Sequence, residues 1–248
     1  MNSQTTQTTQ LTSPTQRRLV GLVSLVQGLL IFVPTIVLGQ AIGWPATLGD
    51  PASIALPRLL EQASAVQLGY FAYLVMSVLF FVTVFMISRL TLTRLAASLL
   101  PVVVGFAIAS TMFRSIGIIR WFSPMPQLAQ SWDAASTDEE RNVISVTFEA
   151  INNYGGTIGE VLGVSLFAAI ALFLLCLGAL RERSMPIWLA VFGFLSAIAL
   201  LASLSDLFGI EPAFLVVFLG TTFIQLWFVA AGLWLVFSSG KRRDKSVA

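Results

Sequence analysis

The chain has 248 residues, 56% of them hydrophobic and only 10% charged, and its mean hydropathy is +0.87. A soluble domain carries roughly 25% charged residues, so these side chains cannot cover a globular surface in water, and the chain reads as an integral membrane protein. Histidine is absent, Cys176 is the only cysteine, and lysine occurs only at Lys241 and Lys245. These facts exclude imidazole ligation of metal or haem, Ser-His and Cys-His pairs, an internal disulfide, and a buried lysine Schiff base such as a retinal protein needs. The net charge of +2 is too mild to argue for nucleic acid.

The first 16 residues are rich in Gln, Thr and Ser and predict a disordered cytoplasmic N-terminus. From residue 17 to 240 the chain reads as one transmembrane domain, because a spanning helix needs about 20 apolar residues and six stretches supply them. They run over about 19–38, 66–87, 95–116, 157–180, 186–205 and 213–237. Arg17 and Arg18 before an apolar run could head a signal peptide. The run is longer than a usual signal core and its exit at Val37 to Ala41 is a poor cleavage site, so the first helix is expected to be retained. Pro34 in span one and Pro101 at the head of span three are expected as a tolerated kink and a helix start.

Two longer connections, 39–65 and 117–156, are expected outside. In the first, Pro57 to Gln62 resembles the start of a short helix leading into span two. In the second, Pro124 and Pro126 are expected to break the chain. Thr137-Asp-Glu-Glu140 follows as a capping box, a hydroxyl N-cap with a glutamate at N3. A helix is expected over about 138–153, either along the membrane surface or as a solvated connector. Trp44, Trp121, Trp132 and Tyr154 lie on this side and read as interfacial anchors. Residues 241–248 form a basic tail, and no convincing internal repeat is found.

Charge orients the spans. Arg17, Arg18, Arg89, Arg94, Arg181, Arg183 and the four basic tail residues fall on one side, 10 of the 14 lysines and arginines. Ten of the 12 acids fall on the other, all but Glu182 and Asp244. By the positive-inside rule both termini are cytoplasmic. The fold expected is all-α, a bundle of six transmembrane helices in a bacterial cytoplasmic membrane.

Ionisable residues within spans are costly and usually face the bundle interior, so function is sought there. Arg114 and Arg120 close span three, Glu160 opens span four, Asp206 closes span five and Glu211 opens span six. On a continuous α-helix Glu149, Asn153, Gly156 and Glu160 share one face. Arg114 and Glu160 sit at similar depth and are expected to pair. That pair reads either as an ion pair fixing helix register or as part of a ligand site formed by Arg114, Glu149, Asn153 and Glu160; a snorkelling Arg114 is the third reading. Gly155, Gly159 and Gly163 form two consecutive small-xxx-small motifs and are expected as a helix-packing face, with a break at Gly155-Gly156 as the other reading. Gln27, Gln67, Thr83, Thr221, Thr222 and Gln225 read as interhelical hydrogen bonds or cavity lining.

No catalytic constellation, metal site or cofactor is expected. Glu149, Glu160, Asp206 and Glu211 alone would suit calcium or magnesium weakly and zinc poorly.

Gly49-Asp-Pro-Ala52, the run Gln67-Leu-Gly-Tyr-Phe-Ala-Tyr-Leu74, and Leu177 to Leu189 with its Ser-x-Pro-x-Trp-Leu core resemble the bacterial domain-of-unknown-function (DUF) 4386 family. The resemblance implies a small multi-pass bacterial membrane protein and transfers no functional residues. The leading expectation is a non-enzymatic protein with an outward-facing polar cavity that binds or passes a small molecule or lipid. Two rivals stand beside it. One is an assembly subunit, including a homo-oligomer, that uses the glycine face. The other is an intramembrane lipid-modifying enzyme, which would need two carboxylates in one cavity.

Overall fold

A computed structural model describes residues 13–210 and 214–238. Among these residues the fold is all-helical, and six helical runs are long and apolar enough to cross a membrane. The N-terminal segment 1–12, the tail 241–248 and Glu211 lie outside the described residues, as do the expectations placed on them. The first and last described residues, Ser13 and Ser238, come to one end of the bundle, the terminal end, where Arg17 Nη2 donates to Ser238 Oγ at 3.1 Å. The opposite end is the loop end.

The first span is two helices, α1 (Pro14–Leu29) and α2 (Phe32–Ile42). Pro34 has no N–H to give the carbonyl of Leu30, and Val33 N–H takes that carbonyl instead at 3.1 Å. The helix therefore steps at Leu30-Ile31 rather than running straight. α1 starts inside the stretch expected to be disordered, because Ser13 and Gln16 form a reciprocal capping box around Pro14. Gly43, with φ 75°, ends α2 in the left-handed region.

α3 (Ala52–Glu61) crosses the loop end and α4 (Ala63–Thr91) returns through the bundle. A turn over residues 92–96 leads to α5 (Leu100–Ile119). α6 (Pro124–Ala134) occupies the stretch that the prolines were expected to break. Pro124 and Pro126 fall in its first turn, where a missing N–H costs nothing, so they start a helix instead.

α7 (Asp138–Gly156) begins at the capping box. Thr137 Oγ1 accepts from Glu140 N–H, and the Glu140 carboxylate accepts from the N–H groups of Ser136 and Thr137. Those backbone donors hold the Glu140 carboxyl below its usual range. α7 runs without a break into a π-wound segment, Thr157–Phe167, and on into α8 (Ala168–Arg181). The continuous run is 44 residues, roughly 66 Å at α-helical rise against about 30 Å of hydrocarbon. Its acidic start, Glu140 included, therefore stands clear of the membrane. α9 (Ile187–Leu201), a 3₁₀ stretch (Ala202–Phe208) and α10 (Phe214–Ser238) complete the chain.

The six spans form a closed ring in chain order, because α10 packs on α1. Glycines make that closure tight. A Cβ on Gly232 would lie 2.7 Å from the Gly21 carbonyl oxygen, and one on Gly28 would lie 2.6 Å from that of Gln225. Ser24 Oγ donates to Phe228 O at 2.8 Å across the same contact.

Two hydrophobic cores fill the structure. The larger lies inside the ring around Phe80, Leu172, Trp227 and Phe228. Trp227 is fully buried there, and its indole N–H donates to Leu189 O at 2.9 Å. The smaller lies at the loop end, where α3, α6 and α7 bring Leu56, Met125 and Phe148 over Leu38, Tyr70 and Trp121. The polar cluster described next lies at the seam between them.

Candidate functional site

The register of α5 against the π-wound segment is set by a glycine pair. A Cβ on Gly117 would stand 2.6 Å from Gly159 Cα, and one on Gly163 would stand 2.6 Å from the Arg114 backbone nitrogen. A Cβ on Gly155 would meet Arg120 Cδ at 2.7 Å. Thus Gly155 lies under Arg120, Gly159 against Gly117, and Gly163 under Arg114. The glycine stripe faces α5 of its own chain, and the helix runs through Gly155-Gly156 without a break.

Glu160, one residue past Gly159, is therefore level with Gly117 and midway between the two arginines. Its ion pair is with Arg120, at 3.9 Å from Nη2, and not with Arg114. That separation is longer than a hydrogen bond, so the pair is loose. Arg120 Nη1 donates to Gly117 O at 2.9 Å, and its guanidinium lies 5.5 Å from the Trp121 ring. Arg114 points deeper. Its guanidinium carbon sits 4.5 Å from the Phe80 ring centroid, and Nε reaches Gly163 O at 3.4 Å. That carbonyl also accepts from Ser110 Oγ at 2.7 Å.

A small pocket opens between these groups at the loop end. Arg114, Arg120, Glu160, Tyr70, Tyr73 and Trp44 line it, with Trp121, Gly117 and Gly159 behind. Both arginines are buried, whereas the Glu160 side chain is 51% exposed. Tyr70 stacks on Trp121 with centroids 4.6 Å apart, and Trp44 meets Tyr73 edge-on at 5.9 Å. The Tyr70 hydroxyl and Arg120 Nε are buried without a hydrogen-bond partner. Polar groups in such surroundings normally find one.

Glu149 and Asn153 do not enter this pocket; both are exposed on α7. The shared face with Glu160 assumed α-helical winding throughout. The i→i+5 winding that starts at Thr157 turns the chain less per residue, which takes Glu160 off their face. The neighbouring Asn152 is the residue that turns inward, donating from Nδ2 to Leu48 O at 2.9 Å. One carboxylate lines the pocket, so the pair needed for acid-base work on a lipid is not assembled among the described residues. Among them, too, no three acidic or cysteine side chains gather as metal ligands would.

Trp44 and Trp121, read from the sequence as interfacial anchors, form pocket walls, and Tyr154 is 72% exposed. Tyr70 and Tyr73 carried no functional expectation. Their i, i+3 spacing at the loop end of span two was the available signal, since two of the three tyrosines in the chain fall there. Gln27 and Gln225 are buried in the bundle away from this pocket, and the Gln27 amide has no hydrogen-bond partner at either atom. Thr83 bonds back to its own helix, at Leu79 O.

Neither the curated proteins nor the solved structures include a match to this chain. The profile of one family, described as a domain of unknown function (DUF4386), matches residues 19–238. That match takes in all six apolar helices but for the first turn of α1, with the π-wound segment and the named residues of the polar pocket, and the chain belongs to the DUF4386 family.

Proposed function

We propose that this multi-pass membrane protein binds a small molecule or lipid in the loop-end pocket, without chemical conversion. The observation that carries the reading is the concentration of polar groups there. Arg114, Arg120 and the Tyr70 hydroxyl are buried in an apolar bundle, two of them with unsatisfied hydrogen-bonding atoms. Burying such groups without partners is costly, and in membrane proteins they mark substrate and ion pathways. The basic residues at the terminal end support placing that end in the cytoplasm of a bacterial inner membrane. The pocket then opens outward.

The test is native mass spectrometry of the purified protein released from mild detergent. Wild type is expected to retain a co-purified small molecule or lipid, and Arg114→Ala to lose it while keeping its helical circular dichroism. Equal retention by both proteins sinks the assignment of the pocket.

A further inference from the structure

Among the described residues two guanidiniums line the pocket against one carboxylate, and that excess of positive charge points to the chemistry of its occupant. Arg114 is 3% exposed and Arg120 6%. Only Arg120 has a carboxylate within ion-pair distance among the described residues, and that one at 3.9 Å. Arg114 has the face of Phe80 instead, which attracts a cation far more weakly than an anion does. Arginine stays protonated in proteins, so its charge remains in the seam of the bundle and calls for a counter-ion.

The hydrogen-bond inventory points the same way. A guanidinium offers five N–H donors and no acceptor. Arg114 spends Nε on Gly163 O at 3.4 Å, near the limit of a hydrogen bond. Arg120 Nε has no acceptor, and the Tyr70 O–H has no partner. Most of what is left over in the pocket is donors. A planar fork with spare N–H groups matches the oxygens of a carboxylate or a phosphate.

From this we infer that the pocket binds an oxyanion, a phosphate or carboxylate group, held by Arg114, Arg120 and the Tyr70 hydroxyl, with Glu160 as its displaceable counter-ion. The inference rests on the binding reading above and adds the ligand's chemistry to it. With the side chains as they stand there is room for little more than a water. Entry of the anion therefore requires the half-exposed Glu160 side chain to move aside. Only one group of the ligand fits inside. The rest is either the glycerol and acyl chains of a lipid lying against the bundle, or nothing, if the anion is a free one from water.

The experiment measures the thermal midpoint of the full chain in maltoside detergent against four additives: phosphatidylglycerol, glucosyl diacylglycerol, inorganic phosphate and acetate. A saturable rise with phosphatidylglycerol and none with the glycolipid identifies a lipid phosphate. A rise with phosphate or acetate identifies a free oxyanion, and either result supports the inference. Arg114→Gln is expected to weaken the half-saturating concentration at least tenfold, the size of a lost charge-assisted hydrogen bond. Glu160→Gln is expected to strengthen it severalfold, because the competing carboxylate is gone.

If Arg114→Gln does not fold, Arg114→Lys keeps the charge and loses the fork, and binding should still weaken. The opposite sign of the Glu160→Gln effect remains decisive by itself. Weaker binding in Glu160→Gln overturns the oxyanion inference. A response to the glycolipid alone overturns it too and leaves the binding reading standing. If no additive shifts the midpoint and nothing co-purifies with the wild type, both readings fall.

Discussion

The two ends of this bundle are built from equally apolar helices and solve different problems. Towards the terminal end the six spans close on a single core around Phe80, Trp227 and Phe228. Several polar side chains there bond to backbone, as Ser24, Trp227 and Ser184 do, and the buried groups left without a partner, such as the Gln27 amide and Ser88 Oγ, are uncharged. At the loop end three further helices lie over the spans with a core of their own. Between the two cores the chain buries two arginines beside a half-exposed glutamate. A bundle that needed only to sit in the membrane could have been sealed at both ends in the first manner. Among the described residues, the loop end instead buries two arginines against the single carboxylate of Glu160, which is why function is sought there.

The comparison can be broken most severely at the glycine crossing that serves both halves. Gly159→Leu would drive a side chain into the backbone of Gly117, whose Cα already stands 3.0 Å from a bare Cβ. Loss of folded monomer is expected, read as aggregation in size-exclusion chromatography. A folded monomer that has merely lost a partner subunit would move the stripe to an outer contact face.

Trp227→Ala strikes the closed core alone. A cost of ~3–5 kcal/mol in unfolding free energy is expected from the emptied volume, with ligand retention at the loop end unchanged among the molecules that stay folded. If retention falls in step with stability, the two halves are not separable.

Glu182 ties two turns of the terminal end together. Its Oε1 accepts the backbone N–H groups of Arg94 at 2.5 Å and Ala96 at 2.8 Å. Glu182→Ala should cost about 1.5–3 kcal/mol, the range for hydrogen bonds to a charged group, and should speed amide hydrogen exchange at those two positions and nowhere in the pocket.

The smallest effect is expected at the outermost helix start. Thr137→Ala removes one half of the α7 capping box and should lower stability by about 0.5–1 kcal/mol. The Glu140 carboxyl is held below its usual range by backbone donors. The stabilisation it gives is present above the unfolded carboxylate range near pH 4 and is lost as pH falls through its lower folded value. Acid titration of the wild type should fray the start of α7 before the spans respond, and Glu140→Gln should flatten that early phase.

The sequence revealed what depends on long apolar runs and on local chemistry. Six spans follow from hydropathy, and the Thr137–Glu140 box follows from a four-residue pattern. What it hid depends on contacts between distant residues or on position within a turn. Pro124 and Pro126 read as breakers until their place in a first turn is known. Gly21 and Gly232 sit on the first and last helices with no small residue four positions away, and Gly28 has only Ser24 at that spacing. The π winding carries no composition signal, yet it turns Glu160 away from the exposed face of Glu149 and Asn153, while the Gly117–Gly159 crossing sets Glu160 beside Arg120. Arg114 lines the loop-end pocket, but its partner was assigned from depth alone, and depth does not fix rotation about a helix axis.

Closure of the ring through α1 and α10 has a topological consequence. Arg17 and Ser238 are in hydrogen-bond contact, so the two ends of the folded domain are already neighbours. The turn at 92–96 opens at that same end. A chain rewired to begin in that turn, with its old ends joined, would keep every helix on its original side of the membrane. Six helices in a closed circle have no obligatory first member, and the order in which they are made need not be the order that holds them together.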